Sequence, residues 1–238
     1  VEKMDADKTI GAAMPKMIDF ANRDKFEYAG ACGGFIDRFG YPFCRGRVLS
    51  VIETDSGQYN DEMQCFWASG ACMFVRAKLY KELGGLDDAF FAHMEEIDLC
   101  WRLQNAGYKI MVYPQVEVYH VGGGTLPNNN PRKLYLNYRN NLLLLYKNLP
   151  PLQAKMLIPK RIILDWFSAL VYLLQRKWSF FMAVPKAHRD YFKMRTMAKQ
   201  TSNVQANKKF CRSNFPVYHH SLVGSFFIRK LKTFKALW

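Results

Sequence analysis

The stretch EEIDLCWRLQNAGYKIMVYP, residues 95–114, changes from a helical to an extended pattern around a single glycine. Glu95, Glu96 and Asp98 fall in what the spacing predicts as a first helical turn, where the helix dipole favours carboxylates. Gly107 supplies the C-terminal stop, and YKIMVYP (108–114) reads as a short apolar strand closed by Pro114. Working outward, TIGAAMPKM (9–17) reads as a buried strand entered from a polar turn. CFWASGACMFVRAKLYKELGG (65–85) reads as an apolar strand followed by a short helix ending at Gly84-Gly85. NNNPRKLYLNYRNNLLLLYKNL (128–149) carries Asn caps and a proline at the first position of a long helix. Alternating elements of this kind predict an α/β layer domain.

The chain has 238 residues, half of them hydrophobic, enough for one large domain or one domain with an appendage. It opens on Val1, and no charged segment followed by an apolar one comes after, so neither a signal peptide nor a natural start is read and a piece of a longer chain is expected. Six irregularly spaced cysteines without a C-x-x-C point to reduced, cytosolic thiols rather than a zinc site or a disulfide framework. Charge is divided unevenly: residues 1–130 hold 13 basic and 18 acidic side chains, residues 131–238 hold 21 and 2. A boundary is therefore expected between residues 128 and 150, with domains at 1–148 and 149–238.

In the second part, LIPKRIILDWFSALVYLLQRKWSFFMAV (157–184) is interrupted by Asp165 and by Gln175-Arg176-Lys177. Its longest uncharged run, Trp166–Gln175, falls well short of the ~18 residues that span a bilayer. Interfacial helices are expected instead, and FFIRKLKTFKALW (226–238) has the same basic amphipathic character. Basic charge interleaved with aromatics fits an anionic membrane or a nucleic acid. The long apolar runs would be wasted on a nucleic acid, so the membrane surface is preferred and no nucleic acid partner is expected.

The carboxylate cluster follows GGLDDAFFAHM and is followed by VEVYHVGGGT (116–125). The run from Trp67 to Thr125 resembles the second half of the catalytic domain of family 2 glycosyltransferases, the inverting nucleotide-sugar enzymes of the GT-A fold, and is most similar to rhamnosyltransferase-like bacterial members that build surface polysaccharides. The resemblance covers residues 1 to about 148. It implies a partial GT-A domain lacking its N-terminal half, followed by a mainly α-helical tail. It also implies that Glu96, second in the acidic pair Glu95-Glu96, is the general base, and that His120 is a ligand of a divalent cation, Mn²⁺ or Mg²⁺. Trp67, Ala68, Ser69 and Gly70 match the segment bordering donor sugar and acceptor. The implied partners are a nucleotide-sugar donor and a lipid-linked or polysaccharide acceptor at the cytoplasmic face of the bacterial inner membrane. A fragment of this extent is expected to be inactive alone.

These residue types suit the chemistry: an inverting transfer needs one carboxylate to deprotonate the acceptor and a cation to hold the leaving diphosphate. Glu96 stands where the family more often has Asp, one methylene shorter, and Glu95 and Asp98 are expected to raise its pKa. The plain alternative is an acidic helix start, with Asp98 pairing to Arg102 four residues on. His120 taken alone could as well be structural, and Gly122-Gly123-Gly124 is either a phosphate cradle or a flexible loop. Asp5-Ala6-Asp7 looks like a metal-binding Asp-x-Asp but reads as the polar turn before the first strand, which places the true motif upstream of Val1. Q-x-x-R-W is absent, which favours transfer of a single sugar. GGFIDRFGYPFCRGR (33–47) reads either as a loop over the acceptor, with Arg45 or Arg47 facing a phosphate, or as a packed flap. Two rivals stand beside the enzyme: a non-catalytic docking fragment for acceptor or membrane, and a nucleic-acid-binding protein with a basic helical tail.

Overall fold

The computed structural model describes residues 1–122, 130–197 and 215–238. The elements in chain order are α1 (Glu2–Ala6), β1 (Ile10–Asp19), β2 (Gly34–Asp37), β3 (Pro42–Cys44), β4 (Arg47–Val48), β5 (Val51–Ile52), β6 (Met63–Cys65), β7 (Phe74–Val75) and α2 (Ala77–Glu82). They continue with a 3₁₀ turn (Asp88–Phe90), α3 (Glu95–Asn105), β8 (Lys109–His120), α4 (Pro131–Asn148), α5 (Pro151–Leu174), α6 (Trp178–Arg195), β9 (Val217–Tyr218), α7 (Leu222–Phe227) and α8 (Phe234–Leu237). The chain is mixed α/β, as expected, and forms two compact units. One comprises Val1–Leu86, Leu99–Gly122 and the C-terminal residues from 215. The other comprises Asp87–Asp98 and the helices of residues 130–197.

The first unit is built on β1, nine of whose ten residues are buried. A strand apolar on both faces belongs in the interior of a sheet, and β1 lies between β8, parallel to it, and β7 in the order β6-β8-β1-β7. Pro114 does not end β8. Pro15 pairs with Tyr113 and Lys16 with Glu117, so residues 114–116 bulge out and the strand resumes to His120. A proline lacks the N–H that a ladder needs, and a bulge removes that need without ending the strand. At the bulge Lys16 is buried, and its ammonium donates to Asp55 Oδ2 at 2.7 Å, Asn60 Oδ1 at 2.7 Å and Glu117 Oε1 at 3.1 Å. Of the acidic pair expected in a polar turn, Asp7 does lie between helix and strand, capping the C-terminus of α1 and accepting from Thr9 N at 2.8 Å, while Asp5 is within α1.

The 33–47 segment folds as part of a second sheet, β5-β4-β3-β2-β9, with Phe35 and Phe43 fully buried. The last strand of that sheet comes from the chain's end, where β9 pairs parallel to β2 through Ile36–Val217. Phe234 and Trp238 pack tilted and edge-on against Phe35 at 4.9 and 6.0 Å between ring centres, and Tyr218 meets Phe43 at 6.0 Å. Within 226–238, read from the sequence as basic and amphipathic, Phe226, Phe234 and Leu237 are buried in the first unit, while Phe227, Ile228 and Trp238 are exposed large apolar groups.

In the second unit α4 packs on both α5 and α6. Helix α5 is amphipathic in the reverse sense. Its buried side carries Ala154, Ile158, Arg161, Asp165 and Ala169, while Leu152, Met156, Ile163, Trp166, Phe167, Leu170 and Leu174 face outward. The inner charges are satisfied: Arg161 Nε donates to Asp165 Oδ1 at 2.9 Å, Arg161 Nη1 donates to Asn141 Oδ1, and His188 Nε2 lies 3.1 Å from Asp165 Oδ2. No helix among the described residues is long and apolar enough to cross a membrane.

Close approach of Gly34 to Trp67 fixes the junction of β2 with the segment after β6. A Cβ on Gly34 would stand 2.1 Å from the indole ring, whose N–H donates to Phe35 O at 3.0 Å. Replacing Gly34 with Ala is expected to cost at least the ~1–3 kcal/mol typical of overpacked cores, read as a lowered midpoint in urea denaturation followed by tryptophan fluorescence.

Candidate active site

The acidic pair is delivered by a loop under strain. Asp87 accepts from Ala89 N at 2.9 Å to start the 3₁₀ turn, and Phe91, His93 and Met94 then take positive φ angles of 65, 69 and 76°. Non-glycine residues in that region cost on the order of 1–3 kcal/mol each and persist only where the surroundings hold them. What holds them is α4. The side-chain amide nitrogen of Asn140, wholly buried, donates to Phe90 O at 2.9 Å, Ala92 O at 2.8 Å and His93 O at 2.7 Å. Arg139 Nη2 adds a bond to Phe90 O at 2.9 Å. Lys147 pairs with Asp87, and Asn148 Nδ2 donates to Asp98 Oδ1 at 2.6 Å, so α4 grips the segment at both ends. Asn130 caps α4 itself by accepting from Arg132 N at 2.8 Å, with Pro131 at the first helical position, as the sequence predicts.

Glu95 and Glu96 open α3 directly after this loop. Each carboxylate has an Oε2 enclosed from solvent with no hydrogen-bond partner among the described residues, and so does Nε2 of His93. Buried polar atoms normally find partners, and unpartnered ones on residues this near in sequence make the segment a candidate site. Burial, and then the charge of Glu95, pushes the Glu96 carboxyl up to about 7. Burial raises Glu95 as well and lowers His93. Asp98, expected to contribute to the rise at Glu96, is instead buried and bonded to Asn148, and the Arg102 guanidinium donates to Leu83 O at 2.5 Å and Gly85 O at 2.7 Å. A carboxylate half protonated near neutrality can take a proton and release it.

The other expected site residues lie in the first unit. Trp67 and Ser69 are buried there: the indole packs on Gly34, and Ser69 Oγ accepts from Ala71 N at 3.3 Å. Gly70 is exposed beside them. Arg45 does not face outward toward a phosphate. Its guanidinium pairs with Asp61, donates to Asp61 O at 2.9 Å and lies 4.9 Å from the Tyr59 ring, while Arg47 is buried against Tyr28.

His120 ends β8, as the sequence predicts, with Nδ1 at 3.3 Å from Glu27 Oε1, an ion-pair distance without hydrogen-bond alignment. Glu27 is buried, accepts from Ala29 N at 2.6 Å through Oε2, and stands 3.2 Å from where a Cβ on Gly122 would lie. Gly122 has φ of 63°, a conformation suited to glycine. Gly123 and Gly124 lie outside the described residues. Glu27 and His120 offer two metal donors, fewer than the three or more protein ligands of a tight site, and no group of three His, Cys, Asp or Glu gathers among the described residues. Glu27, Arg139 and Asn140 escaped the sequence reading. The run Arg139-Asn140-Asn141 directly ahead of the apolar stretch Leu142–Leu145 was the one signal available.

The elevated Glu96 carboxyl has a consequence for stability. From the unfolded value near 4.5 to about 7, the folded chain holds the proton that the unfolded chain has lost, so this contribution is complete below 4.5 and disappears as pH rises through 7. The displacement corresponds to roughly 3 kcal/mol. Glu96→Gln is therefore expected to unfold at a higher urea concentration than the parent at pH 8 and to converge with it at pH 4.5. Equal midpoints at pH 8 would refute the burial of this carboxyl.

Comparison with known proteins places parts of the chain beside glycosyltransferases. An N-acetylglucosaminyl-diphospho-decaprenol L-rhamnosyltransferase of Mycobacterium tuberculosis is 41% identical over 54 residues, covering 23% of this chain and 18% of the relative. The rhamnosyltransferase WbbL of Escherichia coli is 35% identical over 54 residues, 23% of this chain and 20% of the relative. A low-salt glycan biosynthesis hexosyltransferase of Haloferax volcanii is 28% identical over 102 residues, 41% of this chain and 32% of the relative. The matches thus span between about a fifth and a third of the length of these curated relatives. Residues 6–141, more than half of the chain, match the family model described as "Glycosyltransferase like family 2", and the chain belongs to that family.

Proposed function

We propose that this chain is the acceptor-side part of a glycosyltransferase that moves one sugar, with inversion, from a nucleotide-sugar donor to a lipid-linked acceptor in surface glycan synthesis. The observation that carries the reading is the Glu96 carboxyl at the start of α3, unpartnered at Oε2 and pushed up to about 7, directly after a loop held from α4. Glu96 Oε2 accepts the proton of the acceptor hydroxyl as that oxygen bonds to the anomeric carbon of the donor sugar. The bond from that carbon to the diphosphate oxygen breaks, and the diphosphate leaves with the electron pair. A divalent cation, when bound, would neutralise that leaving group. His120 and Glu27 would be two of its ligands. The names of the relatives favour a rhamnosyl donor and a polyprenyl-diphosphate-linked acceptor.

Helix α5 supports a place on a membrane surface. A water-soluble helix puts its apolar stripe inward. Here the stripe that includes Trp166, Phe167 and Leu174 faces out, while an arginine and an aspartate occupy the interior. Lying on the cytoplasmic face of the bacterial inner membrane, with the apolar stripe among the acyl chains and the surrounding lysines and arginines at anionic headgroups, this unit would meet a lipid-linked acceptor where it is anchored.

In the complete enzyme, Glu96→Gln is expected to lower turnover ~100-fold or more with donor affinity nearly unchanged. The parent's rate should rise with pH through about 7 as Glu96 ionises. Retained turnover in the variant would remove Glu96 as the base. Binding of the purified chain to anionic liposomes should weaken as salt rises, because surface attraction is screened beyond ~10 Å at 0.1 M. It should also weaken when Trp166, Phe167 and Trp178 become Ala. Equal binding to neutral vesicles at every salt concentration would contradict the placement.

A further inference from the structure

A cavity of about 830 Å³ opens in the helical unit between the start of α4, the start of α6 and the 3₁₀ turn. Three cations line it, Arg132, Arg139 and Lys186, against one carboxylate, Asp88. Arg139 is fixed in place, Nε donating to Asn140 Oδ1 at 2.9 Å and Nη2 to Phe90 O at 2.9 Å. The other two are steered by aromatic faces: Arg132 lies 5.5 Å from the Phe91 ring and Lys186 5.2 Å from the Tyr135 ring. Both are exposed, and neither pairs with a carboxylate among the described residues. Asp190, the nearest candidate on α6, is taken by the Tyr135 hydroxyl at 2.9 Å and by Arg189 at 3.0 Å.

The remaining walls are apolar. Phe91 and Met182 line the same cavity while 70% and 57% exposed, and Trp178, one turn before Met182 on α6, is 62% exposed. Cations alone would suit any phosphate, and apolar groups alone any lipid. The two together, in a volume suited to a ligand of a few hundred daltons, suit a phosphate group with a hydrocarbon attached. Phe91 also belongs to the strained loop and stands five residues ahead of Glu96 in the chain.

We propose that this cavity binds the diphosphate of a polyprenyl-linked acceptor, with Arg132 and Lys186 on the phosphates and the first isoprene units against Phe91 and Met182. The proposal rests on the reading of the acceptor as lipid-linked, and it adds the site that would hold the linkage. A free phosphate metabolite and the nucleoside diphosphate of the donor share the anionic chemistry, so the test separates all three.

Binding of inorganic pyrophosphate, farnesyl diphosphate below its micellar concentration and uridine diphosphate would be measured by calorimetry on the purified chain at low salt. Farnesyl diphosphate is expected to bind at least ~10-fold more tightly than pyrophosphate, consistent with burial of several methylene-sized groups. The double substitution Arg132→Gln with Lys186→Gln should weaken both by ~10-fold or more, and Met182→Asn should remove the farnesyl advantage while leaving pyrophosphate unchanged. These side chains are exposed, and an unchanged circular dichroism spectrum verifies the fold. Undiminished farnesyl diphosphate binding in the double variant would overturn the proposal. So would equal affinities for pyrophosphate and farnesyl diphosphate, or displacement of farnesyl diphosphate by an equal concentration of uridine diphosphate. Binding is read without turnover, so failure of this site and failure of the transferase reading register in different experiments.

Discussion

One side-chain amide holds the loop ahead of the acidic pair in shape. The three backbone carbonyls that Asn140 binds belong to a loop with three non-glycine residues at positive φ, a conformation with no local reason to persist. Stacking several such residues ahead of a helix is costly, and the compensation is spread along α4 through Arg139, Asn140, Lys147 and Asn148. In return Glu95 and Glu96 start α3 in an orientation that leaves an oxygen of each carboxylate enclosed and without a partner. The elevated carboxyl and the unusual backbone are two aspects of one arrangement, since a relaxed loop would let water reach the glutamates and return Glu96 toward its ordinary range.

Where signals were local, the sequence was legible. Gly107 stops α3 with φ of 93°, Asn130 caps α4, and the apolar run after Thr9 is a buried strand. The identity of Glu96 as the candidate base came from the resemblance to a family; the surroundings that raise it were only partly anticipated, because burial leads and Asp98 plays another part. What local pattern could not convey was anything decided by a distant partner. Pro114 reads as a terminator until β1 is present to accept a bulge. Arg45 reads as an anion ligand until Asp61 is beside it. Glu27 has no pattern of its own, and its relation to His120 joins residues 93 positions apart. The composition of α5 predicted an amphipathic helix correctly, but which face lies inward depends on Asn141 and His188 from neighbouring helices.

Burial of charge in α5 also illustrates how specificity of packing differs from strength. An arginine and an aspartate inside the helical unit stabilise little in net terms, since desolvation offsets their attraction. They do fix rotation: turning α5 by half a turn would bury tryptophan and phenylalanine but part Arg161 from Asn141 and Asp165 from His188. The helix is thereby committed to showing its apolar side outward.

Closure of the second sheet by the chain's own end carries a consequence in time. Asp37 receives the Leu222 amide across 185 positions, and Glu53 receives that of Phe234 across 181. At ribosomal speeds of about 5–20 residues per second, Phe35 and Phe43 wait roughly ten seconds or longer for the rings that cover them. Helices α5 and α6 emerge during that interval, so the outward apolar stripe is available before the first unit can close. A nascent chain in that state exposes two adhesive surfaces at once, and early engagement of the helices by a lipid surface would remove one of them while the sheet still lacks its last strand.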